Sequence, residues 1–252
     1  MSGKTQERIL YLVSPVALLL LWQLLLMAGI GDRRFFPTPT DIAARYWEML
    51  ASGELLMHTA ITLYRVFVGF FVGAIPGIAV GLLMAMFRPV RIFFDPLIAS
   101  LFPIPKIALM PLFLLAFGFG DASKIAVVAV AVLFPVIINT YSGASNIEKI
   151  YWDVAKNYGA SESVMFRRIV FFGALPMIFA GLRIGLAVSF IVLVASEFVA
   201  TKAGIGYLIW NSWELLQVDI MFVGILTVGI LGLIATVCLQ EIERKVIPWK
   251  VG

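Results

Sequence analysis

Long apolar stretches alternate with short polar ones along the chain. An α-helix needs roughly 20 apolar residues to cross a bilayer core about 30 Å thick, and six stretches approach that length. They cover approximately residues 9–29, 61–87, 96–117, 125–141, 175–200 and 220–239. The pattern predicts an all-α polytopic membrane protein with about six transmembrane helices, built as a single domain over residues 1–252.

Two interpretations fit the first apolar stretch. Lys4 and Arg8 precede it, as basic residues precede the apolar core of a secretory signal peptide. Its apolar run is longer than that core usually is, and the residues at 27–30, MAGI, form a poor cleavage site. We therefore favour a retained transmembrane helix over a cleaved signal.

The composition excludes a soluble protein. Hydrophobic residues make up 62% of the chain and charged residues 13%, against about half and about a quarter in soluble domains. Although the net charge is +4, the basic residues are spread through the loops, which is typical of membrane orientation rather than of nucleic-acid binding. The lone Cys238 rules out a disulfide framework or a cysteine metal cluster, and we expect neither a metal nor a cofactor.

The lysines and arginines of the loops are unevenly divided between the two sides of the predicted bundle. Eleven fall on the side that holds both termini and residues 145–170, and five fall on the other side. Because cytoplasmic loops carry the excess of positive charge, both termini and residues 145–170 are predicted to lie in the cytoplasm.

The second apolar stretch carries a glycine at every fourth residue, namely Gly69, Gly73, Gly77 and Gly81. On a helix these glycines form one stripe, along which another helix backbone can approach closely. The stripe predicts tight packing against protein, either within one subunit or between two.

The third apolar stretch is interrupted by four prolines, and Lys106 lies among them. Interior prolines remove helical hydrogen bonds, and irregular backbone at membrane depth is tolerated only against protein or a water-filled cavity. The stretch is therefore predicted to be a broken helix beside a polar pathway. The prolines are Pro96, Pro103, Pro105 and Pro111.

Three charged residues at membrane depth are candidates for the wall or gate of that pathway, namely Lys106, Arg183 and Glu197. A charge in the bilayer interior is costly, so such residues usually serve a function. Arg183 has a second interpretation, because its long side chain could extend to the membrane interface. A straight helix would separate Arg183 from Glu197 by roughly 21 Å, which excludes a direct pair between them.

A polar segment with helical spacing on both sides of a glycine lies between the fourth and fifth stretches. It reads DVAKNYGASESVMFRRI and covers residues 153–169. Ser145 and Glu148, just before it, have the spacing of a capping box at a helix start. An apolar stripe at helical spacing follows, formed by Tyr151, Val154, Ala155 and Tyr158.

Gly159 is placed to end this first helix in a left-handed conformation, and Ser161 is placed to cap a second one. Arg167 and Arg168 suit the negative end of that second helix. Residues 145–170 are therefore predicted to form a rigid helix–turn–helix knob, whose apolar stripe can dock into a groove on a partner.

The same segment resembles the EAA loop of binding-protein-dependent ABC transporter permeases. That motif reads E-A-A, three residues, G, nine residues, I, one residue, L-P. Asp153-Val154-Ala155 stands at the E-A-A position, Gly159 follows after three residues, and Ile169 after nine more. Phe171-Phe172 replaces Leu-Pro, while a Leu175-Pro176 pair occurs shortly afterwards.

Other stretches are similar to the branch of these permeases that serves nitrate, sulfonates and taurine, with relatives for bicarbonate and thiamine precursors. They include IPKIALMPLFLLAFGFGDASK, GALPMIFAGLRIGLAVSFIVLVASEFVA, AGIGYLI and ERKVIPW, so the resemblance covers nearly the whole chain. It implies the type I ABC importer permease fold in the bacterial plasma (inner) membrane. The implied cargo is a small anion such as a sulfonate, taurine or nitrate, or alternatively a thiamine precursor or another small heterocycle.

The resemblance also implies partners, namely a second permease copy in a homodimer, cytoplasmic ATPase subunits and an extracytoplasmic substrate-binding protein. The chain itself is not expected to be an enzyme, because its only GKT, at residues 3–5, lacks the upstream glycine of a P-loop. The residues expected to couple it to the ATPase are Tyr151, Asp153, Val154, Ala155, Tyr158, Gly159, Ala160, Ser161 and Ile169.

Two other classes are alternatives. A gradient-driven secondary transporter typically shows an internal repeat, and residues 1–125 and 126–252 show no convincing one. A membrane enzyme would need catalytic side chains at membrane depth, yet the sequence has no HExxH motif, carboxylate cluster or His-rich set there. The sequence therefore favours an importer permease over both.

Cysteine labelling tests the predicted topology. In a chain carrying Cys238→Ser, a cysteine placed at Ser52 should react with a membrane-impermeant maleimide from outside the cell. A cysteine at Ser163 should react only after the membrane is opened, because the loop charges place it inside. Reaction of both positions from the same side would contradict this arrangement.

Overall fold

The computed structural model describes residues 3–32 and 34–249, without the side chains of residues 3–12 and 15. Throughout this part the regular secondary structure is helical, and no strand is formed. A 3₁₀ turn, Lys106–Leu109, precedes α5, and a π-helical turn, Phe166–Val170, joins α8 to α9. The helices are α1 (Gly3–Met27), α2 (Pro39–Ala51), α3 (Glu54–Met86), α4 (Arg88–Leu101), α5 (Met110–Phe117), α6 (Asp121–Ser145), α7 (Lys149–Asn157), α8 (Glu162–Met165), α9 (Phe171–Glu197), α10 (Ile205–Glu214) and α11 (Val218–Val246).

Four helices of the described chain are long and apolar enough to cross a membrane, and the bent pair of α4 with α5 makes a fifth. The four are α3, α6, the continuous helix that α8 forms with α9, and α11. The four helices confirm the second, fourth, fifth and sixth predicted spans, with boundaries up to 13 residues from the predicted ones, and the bent pair occupies the third, 96–117. The first predicted span, 9–29, falls in α1, where several side chains lie outside the described part. The apolar helix described there, Val16–Met27, is shorter than a span.

The glycine stripe of α3 lies directly against α6. A Cβ atom on Gly73 would collide with the backbone carbonyl of Ala129. Cβ atoms on the other three glycines of the stripe would come within 2.6 to 3.0 Å of side-chain atoms of α6, which belong to Val128, Val136 and Thr140. The stripe therefore packs two helices of one chain, which decides between its two predicted uses.

Helix α9 packs against α6 by similar close contacts. Gly181 of α9 faces Asn139, and Gly143 of α6 faces Met177. Because lipid tails are as apolar as the side chains between these helices, close van der Waals packing holds α3, α6 and α9 together. The fully buried residues of this core include Val66, Val127, Val128, Val132, Val136 and Leu193.

The third predicted span is broken, as its prolines indicate. The chain bends by 93° between Arg88–Leu101 and Lys106–Phe117. Helix α4 buries none of its residues in this subunit, and α5 buries only Met110. The bent pair therefore packs on the three-helix core mainly through Met110, Phe113 and Leu114 of α5, while α4 stays on the outside.

Alanine substitutions test the role of the glycine stripe. Gly73→Ala should lower the free energy of unfolding by about 1–3 kcal/mol, because the new Cβ meets a backbone atom that cannot move aside. Gly232→Ala in α11, where a Cβ meets nothing within 4 Å, should instead stabilise by roughly 0.5–1 kcal/mol through helix propensity. Thermal unfolding of the detergent-solubilised variants measures both. Equal melting temperatures would show that the stripe does not determine the packing.

Candidate functional site

The predicted coupling residues form a knob at the end of the bundle where α6 ends and α8 begins. The first helix of the knob, α7, ends in a Schellman motif around Gly159, whose φ is +71°. The N–H of Ala160 donates to the carbonyl of Ala155, and the N–H of Gly159 donates to that of Lys156, both at 2.9 Å. The predicted glycine turn is thereby confirmed.

The start of each knob helix tests the predicted caps. Ser161 caps α8 as predicted, since its side chain accepts a hydrogen bond from the N–H of Val164. The predicted capping box of Ser145 and Glu148 is wrong, because Ser145 is the last residue of α6. Glu148 is instead the N-cap of α7 and makes no side-chain capping bond.

The predicted apolar stripe of the knob faces away from the rest of the chain. No residue of α7, all of which is described, is buried. Tyr151 and Val154 are exposed, and Tyr158 is 89% exposed. Asp153 is also exposed, whereas Ile169 lies behind α7 and lines a cavity of about 390 Å³ together with Tyr151. An exposed apolar patch on a polar loop is typical of a protein-binding surface.

The second helix of the knob does not end where the sequence predicted. Arg167 and Arg168 lie in the π-helical turn, and the helix continues without a break from Glu162 to Glu197 over 36 residues. At 1.5 Å per residue this helix is about 54 Å long. It joins the knob directly to the opposite end of the bundle.

Glu197, at that opposite end, is only 1% exposed. Arg65 of α3 donates from Nη1 to its Oε1 at 2.7 Å. The hydroxyl of Thr62 donates to Oε2 at 3.0 Å, and the backbone N–H of Gly206 donates to the same oxygen at 2.9 Å. The carboxylate is thus fully enclosed by α3 and by the start of α10.

Arg65 connects Glu197 to two further elements. Its Nε donates to Oδ1 of Asp121 in α6 at 2.8 Å, and its Nη1 donates to the carbonyl of Ala203 at 2.8 Å. The Asp121 side chain is 49% exposed, so this second ion pair is open to solvent on one side. Arg65 therefore ties α3, α6, α9 and the loop before α10 together.

Two glycines allow this close approach. A Cβ on Gly204 would collide with the carboxylate of Glu197, and a Cβ on Gly206 would lie 2.6 Å from the Glu197 Cβ. The N–H of Gly204 also donates to Nδ1 of the buried His58 at 3.0 Å. His58 therefore has a structural hydrogen bond at this position.

Lys124, near the start of α6, is a further buried charge. It is fully buried, and its amine donates to the carbonyls of Phe119, Gly120 and Ala200 at 3.2 to 3.3 Å. Sequence reasoning missed Arg65 as the partner of Glu197, and Asp121 as the second partner of Arg65. The available signal was Arg65 itself, because a cation inside an apolar stretch requires an anionic partner.

The three predicted path residues do not meet one another. Glu197 belongs to the Arg65 cluster, and Arg183 donates from Nη2 to Oε2 of Glu243 in α11 at 2.6 Å. Lys106 lies at the α4–α5 break, where its amine contacts backbone carbonyls of the break. Each charge thus stabilises a different junction between helices.

Comparison with known proteins places this architecture in a family. The family described as "Binding-protein-dependent transport system inner membrane component" matches residues 77–248, which include the bent pair, the knob and the Glu197 end. The chain belongs to this family. It is a permease subunit of an ABC importer, a multi-pass protein of the membrane.

Curated relatives agree with this assignment over most of their length. The putative aliphatic sulfonates transport permease protein SsuC of Escherichia coli is 36% identical over 93% of this chain and 89% of its own. The taurine transport system permease protein TauC of the same organism is 30% identical, covering 92% and 86%. The nitrate import permease protein NrtB of Synechocystis is 30% identical, covering 94% and 88%.

A solved structure shares the fold. The MetNI methionine ABC transporter, in an inward-facing conformation, matches 74% of this permease and 93% of its own chain. The TM-score is 0.60 at 19% sequence identity. The predicted all-α permease fold is therefore confirmed.

Substitution of Arg65 tests the buried charge cluster of the permease. Arg65→Met leaves Glu197 buried without its cation, which should cost about 3–5 kcal/mol of stability. The matched control is Arg244→Met, because Arg244 pairs with Glu241 on the surface and is 78% exposed, where an ion pair contributes about 0–1 kcal/mol. Thermal unfolding in detergent compares the two. Similar losses in both variants would contradict a special role for the Arg65 cluster.

Proposed function

We propose that two copies of this permease form a path through the bacterial inner membrane for a small anion, driven by cytoplasmic ATPase subunits. An extracytoplasmic substrate-binding protein delivers the solute, and both termini lie in the cytoplasm. The observation that carries the proposal is the knob of α7 and α8, whose apolar face is exposed and whose turn is fixed by Gly159.

The exposed face of α7 is the surface that the ATPase would cover. Tyr158 projects at its end, and a large exposed aromatic side chain is the kind of residue that anchors a protein interface. Val154 and Ala155 continue the apolar contact, and Asp153 offers a charged anchor beside them. Gly159, Ala160 and Ser161 hold the turn in shape, and Ile169 supports α7 from behind.

Movement of the knob would reach the far end of the bundle through one helix. Glu162–Glu197 is continuous, so displacement of α8 by the ATPase is transmitted to Glu197 and its bonded partners. The Arg65 cluster then carries the displacement to α3 and α6. This connection gives the ATPase a mechanical route to both ends of the permease.

The second permease copy would cover the α4–α5 break. Leu101, Phe102 and Ile104 of the break are exposed in one subunit, yet irregular backbone does not face lipid at membrane depth. A second copy across a water-filled path satisfies this requirement. Lys106 and Arg183 then contribute positive charge near the path. Glu197 is enclosed, so it would support the wall of the path without contacting the solute.

An anionic cargo is supported chiefly by the relatives. SsuC, TauC and NrtB are named for aliphatic sulfonates, taurine and nitrate. Lys106 adds a positive charge near the path, whereas Arg183 is paired with Glu243. A thiamine precursor or another small heterocycle is the alternative cargo for the same importer type. Measuring which solute the partner binding protein retains would separate these cargo classes.

Substitution of the turn glycine tests the coupling role. Gly159→Val should strain a positive-φ position by about 1–3 kcal/mol, and no neighbouring atom lies within 4 Å to add a clash. We expect normal amounts of permease in the membrane, with loss of the co-purifying ATPase or loss of uptake per ATP hydrolysed. Co-purification and reconstituted uptake in vesicles measure these two effects.

Gly53→Val is the matched control for this substitution. Gly53 has a φ of +81° and equally open surroundings, but it lies at the start of α3, at the opposite end of the bundle. The same backbone strain there should leave the ATPase bound and coupled. Normal coupling in the Gly159→Val permease would contradict the proposal, and uptake that continues without ATP would favour a gradient-driven transporter.

A further inference from the structure

The amine of Lys106 is surrounded by the carbonyl groups of the α4–α5 break. Nζ donates to the carbonyl oxygens of Leu101 at 2.9 Å, Phe102 at 2.9 Å and Ile104 at 2.8 Å. Because an ammonium group has three donors, each donor has one acceptor in this arrangement. The amine has no donor left with which to bind a solute.

Pro105 and the end of α4 explain why these carbonyls can accept from a side chain. In a continuous helix the carbonyl of Leu101 would accept from the N–H of residue 105, but Pro105 has none. Pro103 likewise removes the donor for the carbonyl of Ala99. Helix α4 ends at Leu101, and the last carbonyls of a helix lack intrahelical partners. Lys106 donates to the carbonyl of Leu101, which otherwise accepts only a 3.3 Å bond from the N–H of Ile104, and to the carbonyls of Phe102 and Ile104 beyond the helix end.

An aromatic ring on α6 completes the surroundings of this amine. Nζ lies 4.7 Å from the ring centroid of Phe134, and 5.7 Å from that of Phe102. Phe134 is buried, and its face attracts a cation. Since α4 and α5 bury almost nothing in this subunit, Lys106 provides a direct attachment of the break to the three-helix core.

We propose that Lys106 acts as a built-in monovalent cation that fixes the α4–α5 break to α6. The three carbonyl oxygens and the ring of Phe134 then form a site that binds a small monovalent cation when the lysine side chain is removed. Carbonyl oxygens take the place of the hydration shell of K⁺ in channel filters, and an aromatic face favours organic ammonium ions. Lys106 is thus a positioning residue for transport.

Two substitutions of Lys106 distinguish cation binding at the carbonyls from the mere loss of the lysine side chain. Lys106→Ala empties the space beside the carbonyls, whereas Lys106→Met fills it with an uncharged chain of similar length. Both variants should melt at least about 2–4 °C below the unchanged permease in a buffer whose only added cation is Mg²⁺. Replacing Mg²⁺ by methylammonium or K⁺ at equal ionic strength should raise the melting temperature of Lys106→Ala by mass action. Lys106→Met and the unchanged permease should not respond.

The aromatic wall of the site provides a second check. Phe134→Leu keeps an apolar side chain of similar size but removes the ring face. In the Lys106→Ala background it should weaken the methylammonium response, because cation–π attraction is lost. The single Phe134→Leu variant should remain insensitive to methylammonium, since Lys106 still occupies the site.

Transport gives a readout that rests on the proposed function. In vesicles containing the permease with its ATPase, Lys106→Ala should lower uptake on the order of tenfold or more, since misplacement of a positioning group has effects of this size. Methylammonium should restore uptake while the amount of bound ATPase stays constant. If no ATPase co-purifies with the unchanged permease, the proposed function fails, but the melting measurements still decide on the cation site.

Two results would overturn the inference. If the melting temperature of Lys106→Ala responds to neither ion, or responds in the same way as that of Lys106→Met, the carbonyls do not form a cation site. If Lys106→Ala does not accumulate in the membrane, Lys106→Arg and Lys106→Met decide instead. The charged arginine should then retain the melting temperature and the methionine should not, and equal losses in both would contradict the role of the cation.

Discussion

Polar groups at membrane depth have no water to bind, and this constraint accounts for the placement of the buried charges of the permease. Glu197 is enclosed by Arg65, Thr62 and a backbone N–H. Lys106 and Lys124 each satisfy three carbonyl oxygens where helices end or begin. The glycine stripe of α3 contributes to the same outcome, because it brings α3 close enough to α6 for Arg65 to reach Asp121.

Local signals in the sequence predicted most of the local features correctly. The apolar stretches predicted four spans, the prolines predicted the break, and Gly159 and Ser161 predicted how the knob turns, because each of these depends on a few neighbouring residues. The Ser145 capping box was wrong, since packing of α6 extends that helix through Ser145. The predicted helix end at Arg167 was wrong as well, because the buried Met165 and Val170 continue the helix on both sides.

Sequence spacing could not predict which charges pair when they lie far apart along the chain. Arg65 and Glu197 are 132 residues apart in the sequence, and no helical spacing links them. Which cation meets the carboxylate depends on the rotation of α3 and α9 about their axes, and that rotation is set by glycine contacts with α6. The sequence identified Glu197 as important, but the partners that enclose it follow only from the packing.

The two ends of the permease differ in how many of their charged and apolar side chains are covered by the same subunit. At the Glu197 end the charges are paired within one subunit, and these bonds connect α9 to α3, α6 and the start of α10. The knob and the α4–α5 break instead leave apolar side chains uncovered, among them Tyr158 and Phe102. Under the proposed function, a force applied by a partner at the knob would pass along α9 to the Glu197 end, while the break, held to α6 through Lys106, would respond separately. This division between the three-helix core and the bent pair would allow one subunit to change the proposed path without losing its fold.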